Sequence, residues 1–198
     1  MHCLSGKDGR NAEAYRIVYL ETLRNLIEVL KPKFTVFTSS TSVYPQNDAS
    51  EVDETSAVGG TPTGDVLVSA EELAVEAGGA AVRLGGIYGP GRARFIESAR
   101  ANEPLPFGAP NAFINLIHRD DAARALFHVG SRRLPGLYNA VDDHPGRRDD
   151  LAASIRSGKR EVPARAENST GKRVKNAKLK SAGWTPQYPS VLDALASL

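Results

Sequence analysis

Two short stretches of this 198-residue chain carry the residue types of a reaction site. The first, Phe37-Thr38-Ser39-Ser40-Thr41-Ser42-Val43-Tyr44, lines up consecutive hydroxyl side chains ahead of a phenol. Such hydroxyls orient a substrate oxygen by hydrogen bonding, or they satisfy the backbone of a loop. The second, Arg83-Leu84-Gly85-Gly86-Ile87-Tyr88-Gly89-Pro90-Gly91, places glycines where backbone can approach a ligand closely, or where the chain merely turns. Arg92 and Arg94 follow that turn with the fork geometry that clamps a diphosphate, or they open a solvated helix. His118, within Ile117-His118-Arg119-Asp120-Asp121, suits acid–base work near neutral pH, or packs beneath a substrate loop. His2, His128 and His144 share no ligand-like spacing with one another or with acids, so no metal is expected. Asp142-Asp143 and Asp149-Asp150 read as turn and helix-cap residues, and Trp184 as a core anchor.

These stretches need elements to hold them. Residues 11–31 form an amphipathic helix capped by Asn11, with Tyr15, Val18, Tyr19, Leu23, Leu26, Ile27 and Leu30 near a 3.6-residue period and Pro32 closing it. A β-rich run over 33–38 feeds the hydroxyl cluster, and 45–64 is a long polar loop. A helix over 65–77 stops at Gly78-Gly79, and a strand at 80–84 runs into the glycine turn. Helices follow at 93–101 and 120–130, the second with Asp120 and Asp121 at its positive end, with a strand at 113–117 between them. A strand at 137–141 and helices near 148–157, 176–182 and 189–198 finish the chain. Strands alternating with helices make the class α/β with mainly parallel pairing. Ligands of such sheets collect at the carboxyl ends of the strands, where both stretches lie.

Composition narrows the partners. With 41% hydrophobic and 24% charged residues, the chain has the makings of one packed domain. It holds no apolar run of about 18 residues, so no membrane partner is expected, and Met1–Lys7 lacks the apolar centre of a secretory signal. The lone Cys3 makes no internal disulfide, which fits a reducing, cytoplasmic setting. Residues 151–198 carry nine Lys/Arg against three acids, a balance of +6, and residues 1–150 carry 16 against 20, a balance of −4. A basic lobe on an acidic body suits an anionic ligand, or is a solvated surface. No aromatic residue interleaves the basic run 172–180, so nucleic acid is not an expected partner.

The order strand-Ser-Ser-x-x-Val-Tyr, helix, strand-Arg-Leu-x-x-Ile-Tyr-Gly-Pro-Gly-Arg, then Ile-His-x-x-Asp-x-Ala-x-Ala resembles an extended short-chain dehydrogenase/reductase of the NAD-dependent epimerase/dehydratase type. Leu137-Tyr138-Asn139-Ala140-Val141-Asp142-Asp143 and Gly183-Trp184-Thr185-Pro186 are similar to that family's late strand and closing region, so the resemblance runs from about residue 10 to 198. It implies a partial Rossmann-like parallel sheet with a small C-terminal α/β substrate lobe. The implied division is a Rossmann-type remnant over 1–145, with part of the substrate lobe interleaved, and a substrate-lobe region over 146–198. The resemblance also implies NAD or NADP as cofactor and a nucleotide-sugar-like small molecule as substrate. Members oxidise a substrate hydroxyl by hydride transfer to NAD(P), and many then epimerise or dehydrate the sugar. A Tyr takes the hydroxyl proton, a Lys four residues later lowers the pKa of that Tyr, and a Ser/Thr on the preceding loop holds the substrate oxygen.

Carried over residue by residue, Ser40 matches the substrate-orienting Ser/Thr, with Ser39 beside it on the cofactor side. Gly85, Gly86 and Ile87 match the segment lying against the nicotinamide end, and Tyr88, Arg92, Arg94 and His118 fall on the substrate side. The Tyr-x-x-x-Lys pair is missing: Thr63 or Gly64 stands for the Tyr and Leu67 or Val68 for the Lys, and no Tyr or Lys occurs between Tyr44 and Tyr88. Thr63 is left as the catalytic hydroxyl. Thr-Gly followed by Leu and Ala-Glu resembles the sugar-nucleotide epimerase-like branch, whose members lack the pair. The chain also contains no Gly-x-x-Gly-x-x-Gly. Met1–Gly6 resembles the end of the family's fourth strand, so the first three strands are expected to be absent and the protein truncated. A shortened parallel sheet exposes a strand edge, which predicts self-association as a homo-oligomer. Three readings follow: an NAD(P)-dependent epimerase/dehydratase-like protein, a non-catalytic nucleotide-sugar binding or sensor module, and an inactive fragment.

Overall fold

The computed structural model describes residues 11–106, 108–162 and 168–197. Met1–Gly6, including His2 and Cys3, lies outside them, and so does the expectation about a fourth strand. The first helix is a composite rod: α1 (Ala12–Tyr15), a π-helical stretch Arg16–Glu21, and α2 (Thr22–Leu30). Asn11 caps it by accepting from the Glu13 N–H at 2.9 Å. Lys31 ends it in the left-handed conformation, just ahead of Pro32.

Next comes β1 (Val36–Ser40), set later than the expected 33–38, so Ser39 and Ser40 finish the strand rather than begin a loop. A 3-10 turn Thr41–Val43 follows, and the long connection after it holds β2 (Glu51–Val52). Thr61 caps α3 (Pro62–Glu76), accepting from the Gly64 N–H at 3.1 Å, with Pro62 in the first turn where no N–H is needed. β3 (Ala80–Leu84) occupies the expected residues, and β4 (Gly86–Tyr88) leads to α4 (Arg94–Arg100).

The strand expected over 113–117 is two, β5 (Phe113–Ile114) and β6 (Leu116–His118), broken at Asn115. That amide donates to the Lys172 carbonyl at 2.9 Å and accepts from the Val174 N–H at 2.8 Å, so the chain must turn its side chain out of the ladder. Then come α5 (Arg119–Arg132), β7 (Gly136–Ala140), β8 (Gly146–Arg147), α6 (Arg148–Ser157), β9 (Arg173–Val174) and α7 (Ala177–Ser181). The helix expected over 189–198 does not form; turns lead into a short 3-10 segment, Leu195–Ser197. Ser190 Oγ accepts from the Leu192 N–H, and the Pro189 carbonyl accepts from the Asp143 N–H. Those bonds fix the backbone in a turn that a helix would abolish.

Strands β1, β3 and β7 make one parallel sheet in the order β1-β3-β7, with Val36 opposite Ala80 and Ala80 opposite Gly136. This is the α/β, partial Rossmann-like arrangement that the alternation of elements predicts. Three two-stranded units branch from its carboxyl side: β2-β9 and β4-β6, both parallel, and antiparallel β5-β8. One apolar cluster packs α5 and Trp184 on one sheet face, and another packs α2 and α3 on the other. A third, around Phe95, Ile96, Leu151, Ile155 and Leu192, forms the core of the lobe built by α4 and α6.

Candidate functional site

The end of β1 is organised by a buried carboxylate. Ser39 donates its hydroxyl to Glu71 Oε1 at 2.5 Å, and Arg83 grips the same carboxylate from β3, with Nη2 at 2.6 Å and Nε at 2.9 Å. Arg83 Nη1 also donates to the Tyr44 hydroxyl at 2.8 Å, and that hydroxyl donates to Asn139 Oδ1 on β7 at 2.8 Å. Burial alone would lower the Arg83 pKa, but the hydrogen bonds and charge of Glu71 outweigh it and raise the value. Burial is also the largest influence on the Tyr44 phenol and pushes it above its ordinary pKa, against the opposing charge of Arg83. Tyr44 is a strut, not a base. Ser40, half-buried, accepts from the Ser42 N–H at 3.1 Å and so caps the 3-10 turn.

Thr63 lies in the first turn of α3, half-buried. The helix entrance is tied to the turn after β1, because the Gly59 N–H donates to the Val43 carbonyl at 2.8 Å. Asp65 steadies it further by accepting from the Gly60 N–H at 2.8 Å. Ser40 and Thr63 therefore belong to two connections that are bonded to each other. One turn further along, Leu67 is only 3% exposed, packed in the cluster of Phe37, Val43 and Tyr44, with Val68 against the same cluster. The positions that stand for the family's Lys are core positions here.

At the end of β3, Gly85 and Gly86 carry the chain across β6. The Gly85 N–H donates to Ala140 O at 3.0 Å and the Gly86 N–H to Asn115 O at 2.8 Å. A Cβ on Gly85 would stand 2.9 Å from Asn115 O, so this glycine is required by packing. Gly86 is exposed and Ile87 half-buried, which leaves the Gly86 backbone open on the carboxyl side of the sheet. Arg92, exposed, donates to Ile87 O at 3.2 Å, while Arg94 is exposed as well and already has a partner.

Tyr88 and His118, in register on β4 and β6, are both buried. Their ring centroids lie 5.3 Å apart edge to face, and Tyr188 covers His118 at 4.1 Å. Burial lowers the His118 pKa against the pull of Asp120, so the ring stays neutral, and Nδ1 accepts from the Asp120 N–H at 3.3 Å. Burial first, then the charges of Asp142, Asp121 and Asp193, push the Tyr88 phenol far upward. The pair makes a neutral floor at the end of the β4-β6 unit. Asp121, in the first turn of α5 as expected, also takes the Gln187 and Tyr188 N–H groups, each at 2.8 Å, and so fixes the segment that covers His118.

After β7 opens a cleft of about 670 Å³, and none of the site residues expected from the sequence lines it. Its walls include Asp143 and His144 after β7, Arg173 and Lys175 on the β9 side, Arg160 beyond α6, and Asp193. Four acids, Glu51, Asp143, Glu161 and Asp193, share the walls with the three cations, and Glu51 lies 2.8 Å from Lys175 and 3.5 Å from Arg173. Asp142 is buried behind the walls, and its carboxylate takes the N–H groups of His144 and Val191. Burial above all, then the Asp143 charge, hold its pKa well above the ordinary carboxylate value. Lys172 donates to the Tyr44 carbonyl and joins this lobe to the turn beyond β1; burial alone lowers its pKa. Sequence reasoning found the basic lobe by its charge but missed Glu71, Asn115, Asn139 and the buried state of Asp142. Among the described residues no cluster of His, Cys, Asp and Glu suits a metal ion.

Comparison with solved structures places the chain beside a protein identified as an NAD-dependent epimerase/dehydratase from Methylobacillus flagellatus. The two share 31% identity over 94% of this chain and 70% of that one, with a TM-score of 0.74. UDP-glucuronic acid 4-epimerase from Bacillus cereus, in complex with NAD, matches all of this chain and 69% of its own at 17% identity and a TM-score of 0.76. UDP-glucose 4-epimerase from Thermotoga maritima, with UDP-glucose, matches 96% of this chain and 72% of its own at 20% identity and a TM-score of 0.73. At those identities the two epimerases attest the fold alone. No family model matches the chain, and no curated protein does.

Proposed function

Because the chain belongs to the NAD-dependent epimerase/dehydratase family, we propose that it binds a nucleotide-sugar-type ligand and NAD or NADP, and that binding rather than conventional turnover is its main activity. The observation that carries this reading is the cleft of about 670 Å³ after the carboxyl end of β7, where Arg160, Arg173 and Lys175 stand among Glu51, Asp143, Glu161 and Asp193. Its volume suits a nucleoside diphosphate with an attached sugar, and its three cations can pair with the phosphates. The NAD-bound and UDP-glucose-bound epimerases that share this fold support the ligand class.

Bound NAD(P) supplies a hydride acceptor or donor. Toward it the chain offers the open backbone of Gly86 with Ile87 beside it, while Ser39, buried and bonded to Glu71, steadies the end of β1 rather than facing the cofactor. The 198 residues contain no Gly-x-x-Gly-x-x-Gly turn, so no residue here is assigned to the pyrophosphate. Ser40 and Thr63 present alcohols that orient a sugar oxygen by hydrogen bonding. Arg92 reaches toward the phosphates from the turn after β4, and Arg94 lends charge beside it. Tyr88 and His118 keep the floor rigid and neutral.

Proton removal from a sugar hydroxyl is the missing step. An alcohol at Thr63 is a far weaker acid than a phenol, and Leu67 brings no cation to help it. We further propose that residues 1–145 and 146–198 act as the cofactor-side and substrate-side regions. Two copies associate in a cytoplasmic setting; Ile17, Val29 and Leu30 on the first helix, all exposed, support contact between copies. Among the described residues no helix is long and apolar enough to cross a membrane.

Calorimetric and thermal-shift titration of the full chain with NAD, NADP, UDP-glucose and UDP-glucuronate tests the reading. Stabilisation by at least one UDP-sugar is expected, with NADH formation no faster than in a blank. No response to any of the four overturns the binding proposal, and robust turnover overturns its non-catalytic half.

A further inference from the structure

The buried residues of α5, Asp121, Ala122, Ala125, Leu126 and Val129, mark the face that packs on the sheet. Phe127 falls outside that face, with exposed Arg124 three residues before it and exposed Ser131 four after. It is 70% exposed, and among the described residues no other Phe, Tyr or Trp is exposed. Phe127 borders a groove of about 400 Å³ whose walls include Phe34, just ahead of β1, Val36 in the first position of β1, and Gly130 on α5. The exposed Lys33 and Arg133 complete the wall that matters here.

Charge sets this groove apart. The cleft after β7 carries four acids, and a cavity of about 450 Å³ beside Leu137 carries Asp53 and Glu54, but no acid lines the groove at Phe127. Among the described residues neither Lys33 nor Arg133 is paired with a carboxylate. Their places just past the carbonyl ends of α2 and α5 account for positive charge there, but not for an aromatic ring held in water beside it. Gly130 is a separate observation. Within 4 Å a Cβ on it would meet only Val36 Cγ2, at an ordinary 3.4 Å, so packing does not require a glycine, and alanine is the better helix former. The absent methyl leaves room in the groove wall.

We propose that this groove binds a small, flat aromatic carboxylate, its ring against Phe127 over Gly130 and its two oxygens on Lys33 and the guanidinium fork of Arg133. A flat ring stacks offset on a phenyl face, a carboxylate matches the fork with coplanar oxygens, and the volume falls in the range of small-molecule sites. A second copy turned onto the groove about a two-fold axis would set Lys33 and Arg133 against the same cations, so the groove does not suit itself as partner. No residue of the cleft after β7 lines this groove, and the proposal stands apart from the nucleotide-sugar reading.

The test is calorimetry of the full chain with 2-naphthoate, its uncharged isostere 2-naphthalenemethanol and its saturated counterpart decahydro-2-naphthoate, alongside melting of each ligand-free protein. The wild type is expected to bind 2-naphthoate about tenfold more tightly than either of the others. Lys33→Gln/Arg133→Gln removes the margin over the alcohol, and Phe127→Ala removes the margin over the saturated acid. Gly130→Ala weakens 2-naphthoate by about threefold, while the ligand-free protein melts no lower than wild type. Equal wild-type affinity for acid and alcohol, or 2-naphthoate binding that survives the loss of both cations, overturns the anion site. Equal affinity for the flat and saturated acids, or unchanged binding by Phe127→Ala, overturns the aromatic ligand. Absence of 2-naphthoate binding overturns the proposal outright. So does a Gly130→Ala protein that melts well below wild type with its binding unchanged, since the glycine then serves packing alone.

Discussion

The Glu71 carboxylate holds Arg83 on one side, through Nη2 at 2.6 Å, with both side chains 2% exposed. On its other side it takes the Ser39 hydroxyl, so one buried ion pair sets the backbone that presents Ser40. Glu71→Gln should leave a buried guanidinium without its countercharge and lower stability by about 3–5 kcal/mol. The double variant Glu71→Met/Arg83→Met should lose less than either single change. Urea denaturation of the wild type, Glu71→Met, Arg83→Met and the double variant measures the coupling, and additive losses would show that the pair does not act as a unit.

Leu67→Lys is a direct way to restore the missing family cation. Because Leu67 is 3% exposed among Phe37, Val43 and Tyr44, the new ammonium would be stranded in the core. A loss of about 2–5 kcal/mol is expected, with no gain in NADH formation. A stable, newly active Leu67→Lys protein would contradict the packing described for α3.

Gly85 and Gly86 should separate by function. Gly85→Ala drives a methyl against the Asn115 carbonyl at 2.9 Å and should cost about 1–3 kcal/mol. Gly86→Ala meets the end of the Leu116 side chain at 3.1 Å, which can move, and the Asn115 carbonyl at an ordinary 3.5 Å, so its melting temperature should stay near wild type. Its effect should appear as weaker binding of NAD or NADP in calorimetry.

Asp142 should leave a signature in stability against pH. Its folded-state pKa is raised, by burial first and the Asp143 charge second, so the folded protein holds a proton that the unfolded chain releases near pH 4. The contribution is full below that pH and is lost as pH rises toward the folded-state value. Asp142→Asn should flatten the decline above about pH 4. Denaturation midpoints at several pH values measure it; an unchanged slope would mean that Asp142 titrates normally.

Local signals in the sequence were reliable where one element decides its own form. β3 follows from Ala80-Ala81-Val82-Arg83-Leu84 standing between two glycine pairs, and the rod after Asn11 follows from its apolar period. The closing helix over 189–198 failed because its backbone donors and acceptors are taken by Ser190 and by the Asp142-Asp143 turn. The hydroxyl cluster was visible, but its controlling partner, Glu71, lies 32 residues away from Ser39. Arg83 read as part of a strand, and no local pattern reveals that it crosses to Glu71 and Tyr44. The cleft was foreshadowed only by the cations of the basic tail, since its walls come from six separated stretches of the chain and include four acids.

The π-helical stretch Arg16–Glu21 has a bearing on how this chain tolerates change in length. Such a turn closes hydrogen bonds five residues apart, as the Thr22 N–H does on the Ile17 carbonyl, and so stores one residue more than an α-helix of the same rise. Removing a residue there would convert the stretch to α-helix and rotate Ala12–Tyr15 about the axis. Leu23 would keep its place against the sheet. The first helix thus has a slack point, where a deletion is absorbed upstream of the core instead of being passed into it.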